Sequence, residues 1–296
     1  MAGPTAIGKT ALSIELAKQL GCDIISADSR QFYKELSIGT AKPSLEEMQG
    51  VRHHFIDNVS IADHYNAGMF ENDVLELLNR YFQTNNTIIM CGGSGMYIDA
   101  VCNGMDDLTE IQAELREKLN REVKEKGLSW LQEQVKQLDP VYYDQVDINN
   151  PARLQRALEI CRATGKPYSA QRKGQKKERP FGIIKILLNT DREKLYERIN
   201  LRVDEMMQNG LLNEVKSVLP YKHLKALNTV GYKELFDHLE GKTSLEKAIA
   251  LIKQNTRRYA KRQLTWFNNS GGYETFDPID KMNILKFIEN AKNTKV

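Results

Sequence analysis

The sequence has few of the features that mark secreted, membrane-spanning or zinc-binding proteins. Its four cysteines are scattered and include no C-x-x-C pair, so they suggest neither a zinc site nor a disulfide framework. Charged side chains near the start of the chain exclude a secretory signal. The apolar run Ile183–Leu188 is interrupted by Lys185 and is far too short to span a bilayer. These absences predict a soluble, cytoplasmic protein that does not associate with membranes.

The chain also lacks a strong overall charge. Its 42 basic and 39 acidic side chains give a net charge of only +3. A polyanionic partner therefore does not follow from the total and must be inferred from local clusters. No internal repeat or low-complexity segment is present. With 296 residues, of which 41% are hydrophobic, the chain can bury one sizeable core and a smaller domain.

Near the start of the chain lies a stretch with the spacing G-x-x-x-x-G-K-[ST], which is typical of a phosphate-binding loop. Its glycines let successive backbone N–H groups turn toward one anion, and the following helix adds its positive N-terminal end. In such a loop Lys9 reaches the terminal phosphates and the Thr10 hydroxyl binds Mg²⁺. The alternative is a chance match in a turn, but Leu12, Leu16 and Leu20 recur like a buried helix face. The predicted diphosphate-binding residues of the loop are Gly3, Pro4, Thr5, Ala6, Ile7, Gly8, Lys9 and Thr10.

A short apolar run, Ile24–Ala27, predicts a buried strand that ends at Asp28. In doubly wound sheets ligands bind beyond the carboxyl ends of the strands, so we expect Asp28 beside the phosphate loop. The alternative is that Asp28 only caps a helix or forms a turn. The strand predicted over Thr87–Cys91 runs into Gly92 without a carboxylate, where a nucleotide hydrolase usually has a Mg²⁺-binding acid. This pattern favours a bound phosphate as leaving group over hydrolysis of a triphosphate.

Residues 108–180 differ in character from the sequence on either side. Helical patterns rich in Glu, Lys and Gln dominate them. We interpret them as an all-helical insert in an α/β core of residues 1–107 and 181–296, in which helices flank a parallel sheet. The insert ends in the basic run Arg172–Arg179, which is either a solvated loop or a contact with a nucleic-acid backbone.

Helix starts are predicted by the capping-box pattern, in which Ser or Thr precedes Glu by three residues. The pattern occurs at Ser44, Thr190 and Thr243. Helices are also predicted over 67–82 and 191–208.

The helix over 191–208 carries two basic residues on one face. Arg198 and Arg202 are four residues apart, so they lie one turn from each other. They either hold phosphate oxygens or pair with the neighbouring Glu197 or Glu205.

The last long helix is strongly basic. Five positive side chains occur with no acid between them, and two aromatic residues interleave: Lys253, Arg257, Arg258, Lys261 and Arg262, with Tyr259 and Trp266. The spacing gives two adjacent positive rows. Because a generic exposed helix mixes both signs of charge, we favour contact with a phosphate backbone over a merely solvated face.

Little sequence precedes the phosphate loop. Such a loop normally follows a buried central strand, yet only Met1 and Ala2 come before Gly3. We therefore expect that the recorded start is misplaced or shortened. Loss of this strand would open a groove and leave buried backbone groups unpaired, each at a cost of about 1–3 kcal/mol. On this expectation the chain is poorly soluble as it stands, and an apolar N-terminal extension restores folding.

With these segments, the chain resembles the tRNA dimethylallyltransferase (tRNA isopentenyltransferase) family in its bacterial form. The resemblance covers nearly the whole length. It rests on eight motifs in order: Gly3–Thr10 (GPTAIGKT), Asp28–Tyr33 (DSRQFY), Ile38–Pro43 (IGTAKP), Gly92–Tyr97 (GGSGMY), Pro151–Glu159 (PARLQRALE), Arg198–Met206 (RINLRVDEM), Val230–Leu235 (VGYKEL) and Lys261–Trp266 (KRQLTW). A lone phosphate loop would be a weak indication, but eight ordered motifs are specific.

The resemblance implies a P-loop kinase-like core with a helical insert that grips the anticodon arm. It implies transfer of a dimethylallyl group from dimethylallyl diphosphate to N6 of adenosine 37 in tRNA, with Mg²⁺ as cofactor. The family's eukaryotic C-terminal zinc finger is absent here, which agrees with the cysteine pattern. We expect the enzyme to be a monomer.

The resemblance also assigns roles by position. Asp28 resembles the general base, Ser94 corresponds to the Thr or Ser near the reacting centre, and Thr10 completes the catalytic set. Lys9, Thr10 and Arg202 resemble ligands of the diphosphate and Mg²⁺. The residues that resemble tRNA contacts are Asp28, Ser29, Arg30, Gln31, Ser94, Arg153, Arg156, Gly231, Lys261, Arg262, Gln263 and Trp266.

Other functions are compatible with parts of the sequence. An adenylate isopentenyltransferase would use the same phosphate loop but would not need the insert or the basic helix. A P-loop nucleotide kinase or ATPase would hold ATP in Gly3–Thr10, although the strand-end acid that serves hydrolysis is missing. A nonenzymatic RNA-binding protein would leave Asp28 and the phosphate loop unexplained.

Overall fold

A computed structural model of the chain describes residues 1–106, 111–172, 174 and 176–293, which fold into two units. The first unit consists of Met1–Asn103 and Arg179–Val296, and the second of Gly104–Glu178. The segment predicted as an insert contributes most of the second unit. Among the described helices, none combines the length and the apolar composition that crossing a bilayer requires.

Parallel strands lie at the centre of the first unit. One sheet has the order β2-β1-β3, with β1 (Ile24–Ser26), β2 (His53–His54) and β3 (Ile89–Cys91). A second sheet pairs β4 (Ile186–Leu188) with β5 (Glu274–Phe276). All three strand pairs are parallel, as expected where helices connect successive strands. The strands predicted at Ile24–Ala27 and Thr87–Cys91 are therefore confirmed as β1 and β3, with shorter bounds, and the apolar run Ile183–Leu188 contains β4.

The backbone of Met1 and Ala2 lies between the two sheets. Ala2 forms a parallel bridge with Gly92 on one side. On the other side its N–H donates to Ile186 O and its C=O accepts from Leu188 N, both at 2.8 Å. A mostly apolar cavity of about 490 Å³ lies beside these residues. The effect of an N-terminal extension on solubility stays a prediction.

In the first unit helices surround the strands, and the described elements of the second unit are all helices. In chain order they are α1 (Lys9–Leu20), α2 (Leu45–Met48), α3 (Ala67–Tyr81), α4 (Gly95–Asn103), α5 (Ala113–Leu138), α6 (Pro140–Tyr143), α7 (Pro151–Thr164), α8 (Tyr168–Gln171), α9 (Arg192–Gln208), α10 (Leu211–Val218), α11 (Tyr232–Leu239), α12 (Leu245–Ser270) and α13 (Lys281–Asn293). Helices α5 to α8 belong to the second unit. The helices predicted over 67–82 and 191–208 are confirmed as α3 and α9.

The predicted apolar face of α1 is buried. Leu12 and Leu16 lie in the core beside β1 and β3, and Leu20 packs against it partly exposed. Burial of one such leucine contributes roughly 1.5–3 kcal/mol. The helix ends at Gly21, whose φ of 61° suits a glycine.

One of the three predicted capping boxes is confirmed, and two are wrong. At α2 the Ser44 side chain accepts from the backbone of Glu47, and the Glu47 side chain accepts from Ser44 N.

The other two helices are capped one residue later than predicted. Asp191 rather than Thr190 caps α9, because the Thr190 hydroxyl donates to Asp277 Oδ2 at 2.7 Å. Ser244 rather than Thr243 caps α12. In both cases an equally good cap adjoins the predicted residue.

The second unit has its own apolar core. Leu119 and Leu131 of α5 pack there with Leu154 of α7. Gly127, with φ 77°, interrupts the helical geometry within α5. Asp139 is fully buried and accepts hydrogen bonds from the start of α6 and from α8. The described residues of this unit contain no strand.

Candidate active site

The loop Gly3–Thr10 connects Ala2 to α1. Within the loop, the Ile7 side chain is fully buried, and Gly8 has a φ of 99°, a conformation that favours glycine. The Lys9 ammonium folds back over the loop and donates to Pro4 O at 2.7 Å. Since α1 begins at Lys9, the positive end of its dipole lies at the loop.

A cavity of about 760 Å³, here called the loop cavity, opens over this loop. Its lining includes Gly8, Lys9, Thr10, Arg198 and Arg202. Arg198 and Arg202 come from one face of α9, as their spacing predicted. Within the part of the chain that the structure describes, neither arginine forms an ion pair, so the alternative of pairing with Glu197 or Glu205 is not observed.

Acidic side chains also line the loop cavity, namely Glu15, Glu47 and Glu205. Among the described residues, however, none of them forms an ion pair with Lys9, Arg198 or Arg202. Burial lowers the pKa of Lys9 to about 8; Arg202 acts in the same direction and Asp28 opposes it. Burial also lowers the pKa of Arg202. A bound anion would offset this loss of hydration and the mutual repulsion. The loop cavity is therefore suited to a phosphate or diphosphate group.

A second cavity of about 850 Å³ contains Asp28 and is here called the Asp28 cavity. Asp28 follows the carboxyl end of β1, as predicted. Its Oδ1 accepts from Arg30 N at 2.9 Å, and its Oδ2 has no hydrogen-bond partner among the described residues. Arg202 and Met206 line both cavities. The cavity that contains Asp28 and the cavity over the phosphate loop thus share one wall.

Ser29 and Ser94 lie together in the Asp28 cavity. Ser94 Oγ accepts from Ser29 N at 2.9 Å and lies 3.2 Å from Ser29 Oγ. Tyr259 of α12 also lines this cavity. Burial raises the pKa of Tyr259 to about 12, and the charge of Asp28 adds to this shift, so the phenol stays protonated at neutral pH.

The glycines after β3 allow α12 to approach closely. A Cβ on Gly93 would lie 2.2 Å from Gln263 Nε2, and a Cβ on Gly95 would lie 2.2 Å from Trp266 Cδ1. Gln263 donates to Gly93 O at 2.8 Å and accepts from Thr5 N at 2.9 Å. Gln263 therefore joins the phosphate loop to the segment after β3.

Two residues assigned to tRNA by the resemblance, Gln31 and Gln263, are buried and use their amide groups inside the protein. Gln31 accepts from Ser26 Oγ and donates to Thr40 O and Ala41 O. Their contacts are those of residues that hold loops in place. Sequence alone does not distinguish such an amide from one that faces a ligand.

Four other residues assigned to tRNA line the Asp28 cavity. They are Arg30, Gly231, Arg262 and Trp266. Arg30 also donates to Ala226 O at 3.1 Å. Trp266 is 40% exposed, and its Nε1 donates to Asp99 Oδ2 at 2.7 Å, which fixes the orientation of the indole.

The basic side chains of α12 divide into two groups. Lys253 pairs with Asp204 at 2.7 Å, and Arg257 donates to Asn200 Oδ1 at 2.6 Å, so both are bound to α9. The exposed members are Arg258, Lys261 and Arg262. Arg262 stacks over the ring of Tyr259 at 5.7 Å. The exposed group is the part available to a phosphate backbone.

In the second unit, Arg153 is exposed near the start of α7, and Arg156 pairs with Glu159 at 3.2 Å. Of the predicted basic run, Lys173 and Gln175 lie outside the described residues. Arg172 is exposed and lies over the rings of Tyr142 and Tyr168.

Arg179, at the end of the same run, belongs to the first unit. Its side chain is 7% exposed and pairs with Glu71 at 2.6 Å. The prediction that Arg179 forms part of a solvated or nucleic-acid-binding run is therefore wrong.

Sequence reasoning missed two acids that support the cavities. Asp99 orients Trp266, and Glu214 binds the backbone of residues 37–39. Trp266 is 167 residues from Asp99 and Gly39 is 175 residues from Glu214, so no local pattern could mark these contacts.

Comparison with known proteins gives consistent matches. The family model described as IPP transferase matches residues 31–270. The tRNA dimethylallyltransferase of Christiangramia forsetii is 51% identical, with 99% of this chain and 97% of that protein covered. The tRNA isopentenylpyrophosphate transferase structure from Bacillus halodurans has a TM-score of 0.74 and 35% identity, covering 99% and 96% of the two chains. A eukaryotic dimethylallyltransferase acting on tRNA has a TM-score of 0.77 and 28% identity, covering 94% and 73%.

Proposed function

We propose that this chain, which belongs to the IPP transferase family, transfers a dimethylallyl group from dimethylallyl diphosphate to N6 of adenosine 37 in tRNA. The shared wall of the two cavities carries this proposal. Arg202 and Met206 line both, so a diphosphate in the loop cavity and an adenine beside Asp28 would approach the same wall. We interpret the first unit as a P-loop kinase-like core, because its glycine-containing loop leads from a central backbone segment into α1.

The reaction forms one bond and breaks another. The adenine N6 attacks C1 of the dimethylallyl group, and the C1–O bond breaks with its electron pair leaving on the diphosphate. Asp28 accepts the proton from N6, a role that contributes on the order of 10²–10⁴-fold. Asp28 Oδ2 suits this role because no described residue donates a hydrogen bond to it.

Charge on the departing diphosphate is stabilised by the cations of the loop cavity. Lys9, Arg198 and Arg202 line that cavity, and such preorganised charges are usually the largest electrostatic contribution to catalysis. Burial lowers the pKa of Lys9 and of Arg202, and neither forms an ion pair among the described residues, so a diphosphate would restore favourable interactions that burial has removed.

Thr10 is suited to bind Mg²⁺ together with the diphosphate. It is exposed at the loop cavity, and its hydroxyl has no hydrogen-bond partner among the described residues. No described group of three His, Cys, Asp or Glu side chains could hold a metal alone. Mg²⁺ often binds through few protein ligands together with substrate phosphates and waters. When bound, it neutralises charge on the leaving oxygens.

The tRNA is bound through the exposed basic group of α12 and by Arg153 and Arg156 of the second unit. The target base must leave its stack, at a cost of a few kcal/mol that is smaller in a loop than in a duplex. Ser29, Ser94 and Trp266 line the cavity that would receive it. All proposed groups belong to one chain, so the enzyme can act as a monomer, and its tRNA substrate suggests the cytoplasm.

The test is mass spectrometry of tRNA after incubation with protein, Mg²⁺ and dimethylallyl diphosphate. We expect N6-(dimethylallyl)adenosine at position 37, and none in a matched tRNA with guanosine at that position. Modification of AMP or ATP with untouched tRNA would instead indicate an adenylate isopentenyltransferase. ATP turnover without prenyl transfer would indicate a nucleotide kinase or ATPase.

A further inference from the structure

The segment Ser37–Pro43, here called the wall segment, lines both cavities. Gly39 and Thr40 line the Asp28 cavity. The residues of the segment that line the loop cavity are Ser37, Ile38, Ala41, Lys42 and Pro43. One short stretch of irregular backbone therefore shapes both the acceptor side and the diphosphate side of the site. Its position must be fixed by contacts from elsewhere.

Glu214 of α10 binds the wall segment through its backbone. Oε2 accepts from Ser37 N at 2.9 Å and from Ile38 N at 2.7 Å. Oε1 accepts from Gly39 N at 2.9 Å and from the Tyr232 hydroxyl at 2.6 Å. A carboxylate offers about four acceptor positions, so all of them are used. Three consecutive N–H groups are thereby held by one side chain.

Tyr232 of α11 supports the same contact. It is fully buried, and its hydroxyl donates to Glu214. A Cβ on Gly39 would lie 2.6 Å from the Tyr232 ring, so only glycine lets the wall segment approach this closely. Glu214 and Tyr232 thus form one anchor, built from two helices.

The opposite side of the wall segment is tied to the loop that carries Asp28. Gln31 donates to Thr40 O at 3.2 Å and to Ala41 O at 3.1 Å. Glu214 therefore binds three backbone N–H groups of the segment, and Gln31 binds two of its C=O groups. Gln31 lies three positions after Asp28. Movement at the anchor would therefore be transmitted to the Asp28 loop.

We propose that Glu214 is a positioning residue for the transfer reaction: its carboxylate, backed by Tyr232, holds the wall segment in register with Asp28 and the phosphate loop. This inference rests on the proposed function. Glu214 lines neither cavity, so it acts through the segment. Its loss should reduce turnover, because a displacement of the reacting groups by about 1 Å can cost on the order of 10²-fold in rate.

The principal variant is Glu214→Gln, in which the amide NH₂ of the new side chain would face backbone N–H donors. We expect kcat at saturating tRNA and dimethylallyl diphosphate to fall at least tenfold, while KM for each changes less than threefold. Glu214→Asp retains the acceptors and should recover part of kcat. Assays are run well below the melting temperature, with tRNA binding as a check on folding.

A matched control separates positioning from general destabilisation. Glu35 likewise binds a loop, accepting from the Ser60 hydroxyl and from Ile61 N at 3.0 Å, but Ser60 and Ile61 line neither cavity. Glu35→Gln should lower the melting temperature comparably and leave kcat within twofold. Equal kcat values for Glu214→Gln and Glu35→Gln would overturn the positioning role.

If Glu214→Gln does not fold, Tyr232→Phe decides the question, since it removes only the phenol–carboxylate hydrogen bond. We expect its kcat to fall at least threefold, and an unchanged kcat would overturn the inference. A wild-type chain that prenylates no tRNA would instead overturn the proposed function. The two failures are therefore distinguishable.

Discussion

Among single residues, Asp28 provides the sharpest test of the proposed chemistry. Its Oδ1 is held by Arg30 N, whereas no described residue bonds to Oδ2. Asp28→Asn keeps the size of the side chain and removes the base. We expect kcat to fall roughly 10²-fold or more, while tRNA affinity changes little. Single-turnover transfer and filter binding measure the two quantities.

The matched control for Asp28 is Asp63→Asn. The Asp63 carboxylate also accepts a backbone hydrogen bond, from Ser60 N at 2.7 Å, but it lines neither cavity. We expect its kcat to stay near that of the wild type. Near-normal turnover of Asp28→Asn would remove Asp28 from the role of base.

Lys9 gives the site a predicted pH dependence. Burial lowers the pKa of its ammonium to about 8 in the free protein. A diphosphate favours the charged form and raises this pKa, so binding takes up a proton when the pH exceeds 8. Affinity for dimethylallyl diphosphate should therefore be greatest below pH 8. It should fall by up to about tenfold per pH unit above it.

Calorimetry from pH 7 to pH 9.5, in buffers of different ionisation enthalpy, measures both the affinity and the proton uptake. Lys9→Met should bind more weakly and should lose the pH dependence in this range. Equal wild-type affinity at both ends, without proton uptake, would contradict the role of Lys9.

On the scale of elements, α12 carries basic side chains of two kinds, those bound to α9 and those exposed. Lys253 and Arg257 are bound to Asp204 and Asn200 of α9, whereas Arg258, Lys261 and Arg262 are exposed. Neutralising an exposed residue that contacts phosphate should reduce the salt slope of tRNA binding by about 0.7–0.9. Lys253→Met and Arg257→Met should leave the slope unchanged and lower the melting temperature.

The measurement is the logarithm of the tRNA association constant against the logarithm of salt concentration, for all five single variants. Diphosphate binding serves as the control and should not change for the exposed three. If all five slopes equal the wild-type slope, α12 presents only a solvated face to tRNA.

The same helix shows how far sequence reasoning reaches. Periodicity predicted the position of α12 and its basic rows, because helical spacing is a local property. Periodicity could not show that Lys253 forms an ion pair with Asp204, since Asp204 belongs to another helix, α9. The misplaced caps at Thr190 and Thr243 have a similar cause. A neighbouring Asp or Ser competes equally well, and at Thr190 a contact with Asp277 decides which residue caps the helix.

Several residues that line the two cavities were predicted from the sequence, whereas the residues that support the cavities were missed. Asp28 and the phosphate loop follow strand ends and glycine spacing, which are local signals. The contact of Glu214 with Gly39 spans 175 residues and leaves no trace in either segment. The buried amides of Gln31 and Gln263 lie within motifs that also face the cavity, so their inward orientation depends on packing that only the fold provides.

For the whole molecule, the two units have separate apolar cores. The second unit has a core of its own around Leu119 and Leu154, and the first unit contains the strands and both cavities. At the point where the chain re-enters the first unit, Arg179 donates to Val101 O and Ala100 O, each at 2.8 Å. Arg179 thus binds the last turn of α4, and both belong to the first unit.

This arrangement predicts that the first unit folds without the second. Replacing Gly104–Glu178 by a short Gly-Ser linker leaves the Arg179 contacts and both cavities in place. We expect a cooperative thermal melt. We also expect a diphosphate affinity within about threefold of that of the full chain, a change of less than one kcal/mol in binding free energy, because the residues of the loop cavity belong to the first unit. Affinity for tRNA should fall at least tenfold, and its salt slope should decrease, because Arg153 and Arg156 are removed.

The matched control is the full chain with both arginines changed to alanine, which should lose part of the tRNA affinity while keeping the second unit. A linked core that binds tRNA as tightly as the full chain would show that the second unit is not a tRNA-binding element. A core that fails to melt cooperatively would show instead that the first unit depends on it for folding.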